Sequence, residues 1–320
     1  MPDWKIPTAQ QPKTEDWAFD LDRTLLSVVA LSATVPSDAF SAQSLGTERS
    51  GNGVLIEGGL ILTIGYLMTE ADSIWLRANN GQTFPGHPLG YDYESGFGLV
   101  QPLARVDLPH LELGSASEAE IGARLLVGGA GGRSASLDAH VVARQEFAGY
   151  WEYLIPDAIF TAPAHPHWGG TAIIGPSGKL VGIGSLQLEQ SQARGGSQEI
   201  NMSLPVDLLR PVFDDLVTLG RPNRPPRPWL GVYTAENDGR LSVVGVSDRG
   251  PASELLREGD ALLEVAGERV SDLGDLYRAI WALGDAGATV PLKIMRDGRR
   301  IDLRIQSADR TKLLKSPKLH

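Results

Sequence analysis

The sequence predicts a mainly β protein of two domains, and three observations predict it. Its 320 residues exceed the usual span of a single domain. Its 37 Gly and 21 Pro supply the turns that many short strands require. Short β-branched and apolar runs recur along the chain between clusters of Gly, Asn and Asp, the pattern of a barrel or sandwich. Apolar residues at 42% and charged residues at 21% are ordinary for a packed globular chain, which excludes wholesale disorder and a fibrous repeat.

Taken in order, residues 1–16 are polar and punctuated by Pro2, Pro7 and Pro12, without the basic-then-apolar order of a secretory signal. The apolar run 25–35 is too short to span a bilayer and is interrupted by Ser27, Ser32 and Thr34, so it reads as a buried strand. Further strands are expected at 53–57, 60–63, 73–77, 98–100, 124–127, 172–174 and 180–183, where apolar side chains are bounded by turn residues. Residues 206–219 carry helical periodicity, with Leu208, Leu209, Val212, Phe213 and Leu216 on one side. Residues 221–228 hold four prolines and three arginines, which makes a stiff, exposed linker. Beyond it, strands are expected at 241–246 and 261–265. A helix over 271–283 would align Leu273, Leu276, Ile280 and Leu283, with Tyr277 and Trp281 beside that stripe. The domain plan is thus a tail at 1–19, a larger domain at 20–220, the linker, a small domain at 229–309, and a basic tail at 310–320. That tail, with Lys312, Lys315 and Lys318, is expected to be solvated and disordered.

Composition also bounds function. Lys plus Arg number 29 against 39 for Asp plus Glu, a net charge of −10, which argues against a nucleic-acid partner. There is no cysteine, so disulfides, thiolate metal sites and a Cys nucleophile are excluded. His165 and His167 form a His-x-His pair, but two ligands without nearby carboxylates are weak metal chemistry, and packing or surface roles are expected. The glycine cluster Gly128-Gly129-Ala130-Gly131-Gly132 lacks the Lys-Ser/Thr of a phosphate loop and reads as a turn at a barrel rim. No metal or cofactor is expected. No membrane span is expected either. With no signal segment visible the chain reads as cytoplasmic, and as periplasmic if its true N-terminus is longer.

In the small domain, Pro228-Trp229-Leu230-Gly231-Val232 is followed by a strand, Gly250-Pro251-Ala252, Leu255-Leu256-Arg257-Glu258-Gly259-Asp260, a second strand and the helix. This order resembles a PDZ domain, an α+β fold with a small, partly open barrel, of the kind carried by the HtrA (high-temperature-requirement) serine proteases. The resemblance implies that backbone N–H groups around Leu230, Gly231 and Val232 capture the C-terminal carboxylate of a polypeptide. Gly231 would permit the close approach. Trp229, Leu276, Tyr277 and Ile280 would complete a peptide groove.

The region before the linker resembles the chymotrypsin-like double six-stranded β-barrel that precedes the PDZ domain in that family. Ser50-Gly51-Asn52-Gly53-Val54 matches its Gly-rich strand, and Ile61-Leu62-Thr63-Ile64-Gly65-Tyr66-Leu67 its Leu-Thr-Asn-x-His-Val-Val run. Asp92-Tyr93-Glu94-Ser95-Gly96-Phe97-Gly98 falls on the stretch containing the catalytic Asp. Trp168-Gly169-Gly170-Thr171-Ala172 sits on Ser-Gly-Gly-Pro-Leu, and Ser203-Leu204-Pro205-Val206-Asp207 on Ala-Ile-Pro-Val-Asp.

The departures from that pattern decide the functional expectation. By the resemblance, Tyr66 stands for the catalytic His, Gly96 for the Asp and Trp168 for the nucleophilic Ser. Acyl transfer needs an imidazole to take the hydroxyl proton, a carboxylate to orient it and a hydroxyl to attack. Tyr, with an unperturbed pKa of about 10, is a poor base at neutral pH, Gly has no side chain and indole is no nucleophile. Removing the nucleophile in related chemistry costs on the order of 10⁶ in turnover. The family's Asn-Pro-Gly-Asn lead-in is replaced as well, by Ala164-His165-Pro166-His167. Ser95, Thr171 and Ser185 are the other hydroxyls in these motifs, and Ser134 and Ser136 lie in the wrong context to replace the nucleophile. The expectation is a pseudoprotease that recognises polypeptide through its PDZ domain as a scaffold, adaptor or chaperone-like factor. The alternatives are an active endopeptidase using other residues and a structural oligomer subunit. A homotrimer is implied by the family's aromatic N-terminal segment, matched here by Trp17 and Phe19.

Overall fold

The computed structural model describes residues 5–191, 195–237 and 239–316. Lys318, part of the expected basic tail, lies outside them. The chain divides into two compact units: Met1–Gln145 with Asp157–Asn223 and Leu314–His320, and Glu146–Pro156 with Arg224–Leu313.

The first unit is built on two closed six-stranded barrels, the chymotrypsin-like architecture. One comprises β1 (Val28–Thr34), β2 (Glu48–Leu55), β3 (Ile61–Ile64), β4 (Ser73–Arg77), β5 (Thr83–Tyr91) and β6 (Phe97–Pro102), in the order β1-β2-β3-β6-β5-β4. The other comprises β7 (Arg124–Gly128), β8 (Ser136–Gly149), β9 (Tyr153–Ala162), β10 (Ala172–Ile174), β11 (Leu180–Ser191) and β12 (Ser197–Pro205), in the order β10-β11-β12-β9-β8-β7. Closure removes the unpaired edges that open sheets must protect. In β1, Ala30 pairs with Asn52 on one side and Arg77 on the other, and Val28, Val29 and Leu31 are fully buried. The second barrel closes over Leu125, Val127, Leu137, Ile159, Ile173 and Val181. At about 1.5–3 kcal/mol for each large apolar side chain removed from water, these two cores are the main force holding the unit together.

Several expectations are corrected. The run 25–35 is not one strand: Leu21–Leu25 is a short helix capped by Asp20, whose carboxylate accepts from the Arg23 N–H at 3.0 Å, and the strand starts at Val28. The segment 206–219 is not one helix either, because Pro211 lacks an N–H. Two 3₁₀ turns precede a single α-helix at Phe213–Leu219. The basic tail is ordered as far as Ser316: a 3₁₀ turn spans Arg310–Leu313, the Lys315 N–H donates to Glu70 at 2.9 Å, and the Lys315 ammonium pairs with Asp38. In the N-terminal segment, whose expected assembly role is untouched by these differences, Trp17 lies under the Arg124 guanidinium and Phe19 against Gly178.

The second unit carries a sheet of β13 (Val232–Asn237), β14 (Arg240–Val246), β15 (Ala261–Val265), β16 (Glu268–Arg269), β17 (Thr289–Arg296) and β18 (Arg299–Gln306). Its order is β13-β14-β15-β17-β18, with β16 on β15, which leaves β13 at an edge. The helix Leu273–Trp281 starts where the Asp272 carboxylate accepts the Asp275 N–H at 2.7 Å. Leu276, Tyr277 and Ile280 are buried on its inner face against Leu262, Leu292 and Ile294. The far end of the β8–β9 hairpin, Glu146–Pro156, groups with this unit rather than with the 20–220 region in which the sequence places it, because Ala148 and Leu154 pack against its core. Among the described residues no helix is long and apolar enough to cross a membrane.

Candidate functional site

Two places were marked by the sequence, the cleft in the first unit and the loop before β13. In the cleft, Tyr66 is carried by the 3₁₀ turn Gly65–Leu67 that follows β3, and Trp168 by the loop before β10. The two meet. The Trp168 side chain lies beside the Tyr66 hydroxyl, which donates to the Ser185 carbonyl at 2.9 Å. Burial pushes the Tyr66 hydroxyl well above its ordinary pKa, against the pull of the Trp168 hydrogen bond, so it stays a neutral donor. Gly96 is buried at φ 83°, and its carbonyl accepts from the Gly65 N–H at 2.7 Å, directly behind Tyr66.

The loop carrying Trp168 is pinned by Asn52. The Asn52 side-chain amide donates to the carbonyls of His167 and Gly169 at 2.9 and 3.1 Å, and its backbone N–H to Gly169 at 2.8 Å. Gly170 takes φ 76°, and a Cβ there would lie 1.8 Å from the Asn52 carbonyl oxygen, so only glycine fits. Thr171 donates to the Trp168 carbonyl at 2.9 Å, and the Ser95 hydroxyl accepts the Phe97 N–H at 3.4 Å. His165 is buried, with Nε2 2.9 Å from the Ala135 carbonyl and Nδ1 accepting from the His167 N–H at 3.1 Å. Both its ring nitrogens are therefore engaged within the protein. Burial holds its pKa down at about 4, so the imidazole is neutral at neutral pH. Among the described residues no group of three or more His, Asp or Glu side chains gathers as a metal site.

In the second unit, Leu230, Gly231 and Val232 turn their N–H groups to one point, and a carboxylate occupies it. Glu152, at the tip of the β8–β9 hairpin, accepts from Gly231 at 2.7 Å and from Leu230 and Val232 at 3.0 Å each. Burial raises the Glu152 carboxyl above its ordinary value, while these three donors and Arg310 pull it down. Tyr277 reaches the same tip, donating to the Gly149 carbonyl at 2.7 Å and accepting the Glu152 N–H at 3.3 Å. Leu276 and Ile280 line the apolar pocket beneath Glu152, together with Leu230, Val232 and Leu292. The Trp229 backbone is turned away from this point, its N–H and carbonyl pairing with Ala308. Glu152 was not singled out by the sequence reading. The one visible signal was the aromatic cluster Phe147, Tyr150, Trp151 and Tyr153 around it, an unusual composition for a hairpin tip.

Comparison with known proteins places these sites in context. The description of a PDZ domain matches residues 228–306. A probable periplasmic serine endoprotease, DegP-like, from Pseudomonas fluorescens is 28% identical over 274 residues, covering 81% of this chain and 55% of that protein. One of the same description from Halomonas elongata is 25% identical, covering 84% and 58%. The chain thus spans about half the length of the curated relatives it matches. Among solved structures, an HtrA-type protease AlgW with a decapeptide superposes with a TM-score of 0.53 at 21% identity, over 93% of this chain and 98% of that one. The serine endoprotease from Yersinia pestis gives the same score, identity and coverage.

Proposed function

We propose that this chain, an HtrA-like protein with a PDZ domain, recognises polypeptide without cleaving it, as a scaffold, adaptor or chaperone-like factor. The observation that carries the proposal is that Trp168 lies beside a neutral Tyr66 phenol where the family's chemistry needs a nucleophile beside a base. A second feature supports it. In serine proteases the oxyanion is held by the N–H of the nucleophile and that of the residue two before it, and here that residue is Pro166, which has no N–H. For recognition, the support is the convergence of the Leu230, Gly231 and Val232 N–H groups on a carboxylate, the chemistry that takes a polypeptide C-terminus. The relatives' names add the periplasm as the compartment we assign to this chain, and cytoplasmic placement, which rested only on the visible N-terminus, has no support among them.

The test is incubation of the purified chain with unfolded casein and with a fluorophosphonate serine probe. No cleavage and no labelling are expected. Stoichiometric labelling abolished by changing one serine would favour the endopeptidase reading instead. Sedimentation of the wild-type chain beside a Trp17→Ala, Phe19→Ala variant tests the homotrimer, which predicts three copies for the first and fewer for the second.

A further inference from the structure

We propose that the hairpin tip 149–152 is a built-in ligand of the PDZ groove, with the Glu152 side-chain carboxylate standing where another polypeptide's C-terminal carboxylate would bind. The proposal rests on the recognition function above and concerns how that site is regulated. Three relationships carry it. First, all three N–H groups of the carboxylate loop are spent on Glu152, at 2.7 to 3.0 Å. Second, the tip bonds the edge strand through its backbone: the Thr234 N–H on β13 donates to the Tyr150 carbonyl at 2.9 Å. Tyr150 through its carbonyl and Glu152 through its side chain thus meet Thr234 and Val232, two apart on the free edge of β13, in the antiparallel sense. Third, Tyr277 on the helix clamps the other side of the tip through Gly149 and Glu152, so the tip lies between edge strand and helix, as a bound peptide would.

Two further features shape the docked tip. Glu152 sits at φ 62°, a region that residues with a Cβ seldom occupy, and the Arg278 guanidinium on the helix pairs with Glu146 at 2.6 Å further along the hairpin. The side-chain carboxylate comes from the middle of the chain, so no free terminus is needed. An outside peptide must therefore displace Glu152, and its apparent affinity is reduced by the fraction of molecules in which the tip is docked.

The experiment uses the full chain as wild type, Glu152→Ala and Glu152→Gln, with thermal melts to establish that each is folded. Hydrogen exchange is read over residues 229–235, and binding is read with dye-labelled decapeptides bearing a free carboxylate after each of the twenty last residues. The docked tip predicts protected amides in the wild type, faster exchange in Glu152→Ala and an intermediate rate in Glu152→Gln, which retains an acceptor. It also predicts that the best decapeptide binds Glu152→Ala about tenfold or more tightly than wild type, the shift expected when a mostly closed site is opened. Equal exchange in wild type and Glu152→Ala overturns the proposal whatever the peptides do, as does equal peptide affinity. Faster exchange in Glu152→Ala with no peptide bound by any form upholds the docked tip and sinks the recognition function instead.

Discussion

The Tyr66 hydroxyl donates to the Ser185 carbonyl at 2.9 Å, joining the turn after β3 to strand β11 across the cleft of the first unit. Burial keeps that phenol neutral, so it is a donor that needs this acceptor. Tyr66→Phe keeps the ring and removes the bond to the Ser185 carbonyl. It should lower the stability of the chain by about 1–3 kcal/mol, the scale of leaving buried polar groups unpaired. Urea unfolding measures it, and a change below about 0.5 kcal/mol would show that water replaces the phenol oxygen.

Restoring the three family residues should not restore a protease. Tyr66→His, Gly96→Asp and Trp168→Ser supply the groups, but Asp at position 96 inherits φ 83°, which costs a residue with a Cβ about 1–2 kcal/mol. Pro166 still withholds one oxyanion donor, worth on the order of 10²–10³ in turnover where it has been removed. The triple variant is therefore expected to label slowly with a fluorophosphonate and to leave casein intact, and adding Pro166→Gly should raise the labelling rate. A triple variant as fast as the quadruple would mean that Pro166 is no obstacle.

His165 gives the first unit an acid-sensitive point. The unfolded chain binds a proton on this histidine at about 6.5, its ordinary value, whereas the folded chain, with the ring buried, binds it only at about 4. Between those values the unfolded state holds more protons, so stability is complete above about pH 6.5 and falls as the pH falls toward 4, by about 3 kcal/mol in all. The slope of urea-derived stability against pH over that window should be shallower in His165→Gln, which keeps a donor toward Ala135. An unchanged slope would assign the acid sensitivity elsewhere.

Both the mainly β fold and the PDZ segment were legible in the sequence because their signals are local. The strands at 73–77, 172–174 and 261–265 match the structure end to end, each a short apolar run bounded by turn residues. Strands β5, β8 and β12 escape the sequence pattern for a physical reason. Pro85 and Pro88 interrupt β5, and parts of β8 and β12 are exposed and polar, so alternation fades. At the sites, Tyr66, Gly96 and Trp168 could be named because they fall inside contiguous motifs. The meeting of Tyr66 and Trp168 brings together residues about a hundred apart and leaves no trace in spacing. Glu152 was invisible for the same reason, since its partners lie 78 to 80 residues away and the loop that binds it gives no hint whether its carboxylate comes from outside or from within.

Gly231 is the glycine on which the carboxylate loop depends, and its substitution separates two costs. Its φ is 78°, and a Cβ there would lie 2.8 Å from the Gly250 Cα and 3.1 Å from the Trp229 ring. Gly259, at φ 91°, meets nothing within 4 Å. Both substitutions to Ala carry the left-handed penalty of about 1–2 kcal/mol. Only Gly231→Ala must also push back a backbone neighbour, which adds about 1–3 kcal/mol of the kind that overpacking costs. Thermal unfolding of the two variants should therefore show the larger loss at Gly231. Because the Gly231 N–H makes the 2.7 Å bond to Glu152, hydrogen exchange over residues 229–235 should quicken in that variant alone. Equal losses of stability, or unchanged exchange in Gly231→Ala, would mean that the loop accommodates a side chain and that the approach to Gly250 does not fix its N–H groups.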